Sequence, residues 1–285
     1  MRVWHNGPFP ALPIPGARVS SSGENLGFGE GVNRLLLEAE EDVLVVANPD
    51  LVLDPGCVAA LSAALTGSEA VVAGGLLLSP EGRVNAYGLR LTFDLLGVNT
   101  DRGREAGAFL SEPPGEDYLG PSGALFAVHR GRLRAQAPGP LFPAGLFLYL
   151  EDVALWLRLR ARGCAICFCP AARAVHGWSA TTGQRSLLKL HYVERNRLWL
   201  CRALWGTPGA LATLPFTALR YAAYLRGGAG AGSPGVPGAA RTLFGALRDG
   251  LFGALPDDVR AFLAGVRVRR SDFACFSEQL RNPVA

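Results

Sequence analysis

Asp42-Val-Leu-Val-Val-Ala47 is an unbroken apolar run that stops at Asn48-Pro-Asp50, and this junction constrains the fold more than any other stretch. A run without polar alternation reads as a strand buried on both faces, as in a sheet covered by helices. Comparable runs recur at Ala70–Leu78, Gly120–His129 and Cys164–Cys169, with helical patterns between them. Strands therefore alternate with helices to about residue 170. That predicts an α/β sheet with ligands at the carboxyl ends of its strands.

The remaining elements follow from turn and cap chemistry. Arg2-Val-Trp-His-Asn-Gly-Pro reads as a strand end running into a turn, and Ala17–Ser21 as a short strand. Glu24-Asn-Leu-Gly-Phe-Gly-Glu-Gly-Val-Asn33 is a glycine-rich turn feeding a helix to about Ala39. Its Gly27-x-Gly29-x-Gly31 spacing does not fit the dinucleotide fingerprint, whose third glycine falls three residues after the second. Asp54 and Pro55 predict a helix through Leu65, with Asp54 as cap and Pro55 in the first turn. Residues 80–118 read as hairpins and loops. Helices are expected from Arg130, from Glu151 and over Ser186–Leu204. The rest reads as helical, broken by a flexible Gly227–Gly238 segment.

With 285 residues, 49% of them hydrophobic, the chain builds a sizeable core and disorder is excluded. Charge is uneven. Residues 1–200 hold 18 basic and 19 acidic residues, and residues 201–285 hold 10 and 5. A basic, apolar tail suits an anionic membrane surface or an acidic partner. Nucleic acid is not expected, since no basic stretch is interleaved with stacking aromatics. All basic residues but Lys189 are arginine, which reads as codon bias without mechanistic weight.

Of six cysteines, Cys164, Cys167 and Cys169 cluster in a strand-like segment with no second ligand pair to complete a zinc site. They read, with Cys57, Cys201 and Cys275, as core cysteines of a reducing compartment. No secretory leader is expected from the first residues. The longest uncharged stretch, residues 203–219, is short for a membrane span, and Pro208 and Pro215 interrupt it. An interfacial helix fits it better.

Glu151 and Asp152 stand where an apolar run gives way to an amphipathic helix ending in Arg158, Arg160 and Arg162. Acids at a helix start and arginines at its end complement the helix dipole without any active site. A carboxylate at such a junction also suits a cleft, where it can take a proton from an alcohol. Asp50 reads equally as a turn cap, His176 as a packed or surface histidine, Tyr149 as core and Arg195-Asn196 as a helix-surface pair.

Four blocks resemble family 2 glycosyltransferases of the GT-A fold, especially the rhamnosyltransferase-like branch. They are Glu24–Asn33, Val45-Val-Ala-Asn-Pro-Asp-Leu-Val-Leu53, Gly120-Pro-Ser-Gly through Tyr149-Leu-Glu-Asp-Val, and His176 with Tyr192-x-x-Arg195-Asn196. The resemblance covers about residues 3–200. It implies a GT-A-like domain over 1–200 and a helical, basic, membrane-associating extension over 201–285. It implies an inverting, metal-dependent transferase at the cytoplasmic face of the membrane, working in polysaccharide biosynthesis. The donor would be a nucleotide-diphospho sugar, with rhamnose favoured, and the acceptor a glycan or lipid-linked sugar. A homo-oligomer is a further expected arrangement. The cofactor would be a divalent cation, Mg²⁺ or Mn²⁺, held by Asp50 and His176. Asn25, Gly27, Asn33, Asn48 and Asp50 would serve the donor, and Gly123 and Tyr149 the acceptor. Asp152 would be the general base, oriented or tuned by Glu151.

Three features depart from the family pattern. Its first strand-helix unit is not evident, and that strand is central, so unpaired sheet backbone is expected. His5-Asn6-Gly7 stands where an acid usually precedes Asn-Gly. Ala154 replaces the second acid of Glu-Asp-Val-Asp. These departures keep a rival reading open: a degenerate transferase-like module that binds a glycan or partner without turnover.

Overall fold

The structure is a computed structural model that describes residues 1–8, 13–99, 101–111, 118–177, 186–225, 237–268 and 273. The N-terminal strands are β1 (Arg2–His5) and β2 (Arg18–Ser21), followed by α1 (Gly27–Glu38). Then come β3 (Val43–Ala47), β4 (Leu51–Leu53), α2 (Cys57–Thr66) and β5 (Val72–Leu78). Short elements follow: β6 (Val84–Ala86), β7 (Gly88–Leu91), β8 (Gly97–Val98), α3 (Ala108–Ser111) and β9 (Gly120–Pro121). Next are β10 (Leu125–His129), α4 (Arg130–Gln136), α5 (Glu151–Ala161) and β11 (Ile166–His176). The chain ends in α6 (Leu187–Ala212), α7 (Leu214–Leu225), α8 (Ala239–Phe252) and α9 (Asp257–Phe262).

The main sheet runs β3-β10-β5-β11-β4, with β6 beside the end of β5. Pairing is mixed: β10 is antiparallel to β3 and β5, and β11 is parallel to β5. Side chains alternate between the faces, as the pleat requires. Phe126 and Val128 of β10 enter the larger core with Trp156 of α5, whereas Leu125 and Ala127 join Leu61 and Leu65 of α2. Helix α2 thus covers one face, and α4, α5 and the C-terminal helices cover the other.

Three expectations need correcting. β3 is half-exposed, not buried on both faces, because it pairs only with β10. β1 and β2 form a parallel pair separate from the main sheet. Asp54 does not cap α2; Gly56, at φ 84°, makes the turn instead, and Cys57 donates to the Asp54 backbone carbonyl. The strand expected over 164–169 is instead the longer β11, which continues to His176 with a register shift between Cys169 and Arg173.

Residue 200, where the boundary was expected, lies inside α6. That helix breaks only at Gly206 (φ 71°, ψ 179°). Leu251, Val259 and Phe262 from beyond residue 200 share one core with Val72 and Phe126. A buried ionic network also crosses the boundary: Arg197 meets Glu194 at 2.9 Å, and Arg220 meets both Asp94 (2.8 Å) and Glu194 (3.0 Å). Removing one partner from such a network strands the others without water, a cost of about 3–5 kcal/mol.

The arginines have structural work that the reading as codon bias missed. Arg130 donates to the carbonyls of Ala39 and Glu40 just past α1. Arg132 reaches Leu65 O of α2 at 2.8 Å and Ala70 O at 2.9 Å. Arg202 reaches Gly250 O and Gly253 O at the end of α8, at 2.9 and 2.8 Å. None of these helices has a basic residue in its own last turn. Guanidinium forks from elsewhere satisfy the carbonyls that helix ends leave open.

Among the described residues no helix is long and apolar enough to cross a membrane. Cys57, Cys164, Cys167, Cys169 and Cys201 are free thiols, and Cys275 lies outside the described residues.

Candidate active site

The site assembles along one line of hydrogen bonds that joins segments far apart in sequence. β3 ends at Ala47, and the N–H of the next residue, Asn48, donates to Ala124 O at 2.9 Å. One residue earlier, the Gly123 N–H donates to Asp152 Oδ2 at 3.2 Å. Asn48-Pro-Asp50 and Asp152 therefore flank the same Gly123–Ala124 turn. A Cβ on Gly123 would lie 2.8 Å from Asp152 Cβ and 2.9 Å from its Oδ2. Only glycine lets the carboxylate approach this backbone so closely.

Beyond Asn48 the chain turns and enters β4, which pairs with the end of β11 so that Leu51 faces His176. That pairing carries His176 Nε2 to 3.3 Å from Asp50 Oδ2. Gly177 N–H donates to Asp50 O at 3.0 Å and locks the two ends. His176 Nδ1 lies 3.2 Å from Asn85 Oδ1, on β6. With Nδ1 protonated toward that oxygen, Nε2 carries the lone pair on the Asp50 side. Nothing in the sequence marked Asn85.

Among the described residues Asn48 Oδ1 and Asp50 Oδ1 are buried without hydrogen-bond partners. Buried acceptors without donors are costly and call for a ligand or ion. One carboxylate, one amide oxygen and one imidazole nitrogen make a donor set that suits a hard divalent cation bound partly through substrate phosphates. Among the described residues no group of three or more His, Cys, Asp or Glu side chains is placed to hold a metal. Any ion here would rely on the amide, the donor and water to complete its shell.

Glu151 and Asp152 open α5 but differ in environment. Glu151 is 4% exposed, and burial pushes its carboxyl up to about 8. Among the described residues its Oε1 has no hydrogen-bond partner. Burial also raises Asp152, but Asp152 accepts N–H bonds from Gly123 and, at 2.8 Å, from Val153. Such bonds favour the ionised form. The two carboxyls thus differ: burial without compensating charge favours the protonated form of Glu151, whereas the N–H donors on Asp152 favour its carboxylate.

The glycine-rich block has a structural part in this assembly. Asn6 Nδ2 donates to Gly27 O at 2.8 Å, and Leu26 N–H donates to Asn6 Oδ1 at 2.7 Å. Gly27 (φ 79°) is buried, and a Cβ there would come within 2.1 Å of Phe147 O. Asn33, expected on the donor side, is 7% exposed and exchanges both amide bonds with the Phe142 backbone, at 2.9 and 3.0 Å. These two residues fasten α1 to the segment before α5. Asn25 is exposed, and its Oδ1 accepts the Gly27 N–H at 3.0 Å. Tyr149 (φ 70°) lies two residues before Glu151 and is partly buried against the core.

Two curated proteins from strains of Mycobacterium tuberculosis, both named N-acetylglucosaminyl-diphospho-decaprenol L-rhamnosyltransferase, are 30% identical to this chain over 230 residues. The match covers 70% of this chain and 74% of theirs. The chain belongs to the family 2 glycosyltransferases. No family model matches it. Among solved structures it is similar to GalNAc-T7 crystallised with UDP, GalNAc and Mn²⁺, at 13% identity and a TM-score of 0.50. That match covers 87% of this chain but 44% of GalNAc-T7 and speaks for a shared GT-A fold. The transferase therefore has the mixed α/β fold of its family with a helical C-terminal region.

Proposed function

We propose that this transferase moves a sugar, rhamnose by its likeness to the mycobacterial enzymes, from a nucleotide-diphospho donor to a hydroxyl of a lipid-linked or polysaccharide acceptor, with inversion. The observation that carries the reading is the placement of Asp152 and Asn48-Pro-Asp50 on the two flanks of the Gly123–Ala124 turn. Asp152 takes the proton of the acceptor hydroxyl. The oxygen attacks the anomeric carbon, and the bond to the diphosphate breaks on the opposite side. Glu151, protonated and buried behind Asp152, holds the base's neighbourhood without adding charge. Asn48, Asp50 and His176 would hold a divalent cation. When bound, it offsets the charge gathering on the leaving diphosphate.

Titrating the chain with dTDP-rhamnose and Mn²⁺ or Mg²⁺ tests this reading. Saturable metal-dependent binding and release of dTDP in the presence of a diphospholipid-linked sugar are expected. Glycan binding with no nucleotide affinity would instead favour the degenerate module.

A lipid-linked acceptor calls for contact with a membrane surface, and α8 offers one. Phe244 and Phe252 are 72% and 76% exposed. Arg241, Phe244, Arg248 and Phe252 recur at helical spacing, so two aromatics and two cations share one outward stripe. Co-sedimentation with phosphatidylglycerol vesicles is expected to weaken at least tenfold in the Phe244→Ser, Phe252→Ser double variant. Equal retention by both proteins, or no preference over phosphatidylcholine, sinks this assignment.

A further inference from the structure

Three non-glycine residues just before the Glu-Asp pair have positive φ: Phe147 (66°), Tyr149 (70°) and Leu150 (67°). Such conformations cost about 1–3 kcal/mol each and persist only when the surroundings impose them. At Phe147, ψ is −55° and Leu148 N–H donates back to Leu146 O at 2.8 Å. That is a γ-turn of the rare, strained hand. The segment does not hold this shape by its own preference.

The grip comes from α6. Asn196, 0% exposed, turns its amide nitrogen to three carbonyls: Leu146 at 2.9 Å, Leu148 at 2.8 Å and Tyr149 at 2.9 Å. Arg195 fixes that orientation, since its Nε and Nη2 donate to Asn196 Oδ1 at 3.0 and 2.8 Å. Arg195 Nη2 also reaches Leu146 O at 3.1 Å. Tyr192, one turn earlier, stacks on Phe147 with ring centroids 5.4 Å apart. From the opposite side Phe28 N–H donates to Phe147 O at 2.8 Å.

We propose that Asn196, oriented by Arg195, is a positioning residue that holds the 146–150 turn in the strained shape aiming Asp152 at Gly123. The inference rests on the reading of Asp152 as the base. It gives α6 a catalytic purpose that neither its apolar face nor its ionic network requires. Alanine at 196 removes the donor. Aspartate keeps the size but turns an oxygen toward three carbonyl oxygens, replacing attraction with repulsion.

Asn196→Ala and Asn196→Asp test it in the full chain, by steady-state kinetics, pH profile and amide hydrogen exchange. Expected are a kcat about 10–100-fold lower, a donor KM within about threefold of wild type and a displaced acid limb of kcat. Exchange over residues 146–153 should quicken while β5 and β10 stay protected. A folded variant with unchanged kcat and unchanged exchange overturns the proposal. So does the failure of both variants to fold, which would make Asn196 a stability residue alone. Absence of wild-type turnover would defeat the transferase reading, whereas the exchange comparison still decides the clamp.

Discussion

Asp152→Asn is expected to lower kcat by about 10²–10⁴-fold, the usual contribution of a positioned general base, with donor affinity within about threefold. Asparagine keeps the volume and one of the two backbone bonds that Asp152 accepts from Gly123 and Val153. The fold is therefore preserved, and the missing function is acceptance of a proton. In the wild-type enzyme the same group sets the acid side of the pH profile. Asp152 works ionised, so activity rises with pH through its pKa and is lost below it. Burial raises that pKa, which puts the acid limb above the ordinary aspartate range. Glu151 acts on stability with the opposite trend. Its carboxyl is raised from 4.5 to about 8 in the fold, so the folded chain binds the extra proton. Stability then falls as pH climbs between those two values. Turnover of Asp152→Asn at the wild-type rate would remove it as the base.

Asp50→Ala is expected to cost about 10²–10³-fold in metal-stimulated turnover, the scale seen when a charge-stabilising group is removed from a transfer site. The variant deletes the one carboxylate of the Asn48, Asp50 and His176 group and leaves His176 Nε2 without its 3.3 Å neighbour. Calorimetry separates this loss from misfolding. Wild-type binding of the nucleotide diphosphate should tighten with Mn²⁺, and the variant should bind weakly with or without it. Undiminished metal dependence in Asp50→Ala would place the cation elsewhere.

Much of this site was legible before any coordinates. Asn48-Pro-Asp50 and Glu151-Asp152 each sit where an apolar run ends, and the structure places them across one glycine turn. Gly123 was expected on the acceptor side, and in the structure the Asp152 side chain lies against it. What the motif block did not reveal is that the Asn33 amide bonds the Phe142 backbone, 109 residues away in sequence. Asn85 was invisible because a lone asparagine in a hairpin carries no pattern, and its value arises only from His176 beside it.

The sequence by itself determined the order of strands and helices, the apolar faces that bury them and the chemical types available at the strand ends. These are local properties, written in periodicity and in turn-forming residues. Tertiary structure alone decided which strand lay at an edge, that residues on both sides of position 200 share one core, and that Asn196 restrains the turn before Glu151. Those outcomes depend on contacts between distant segments. A half-buried edge strand and a central one have the same local pattern, and a backbone held at positive φ leaves no trace in the residue that bears it. Its cause is a hydrogen-bond donor some 50 residues further along the chain.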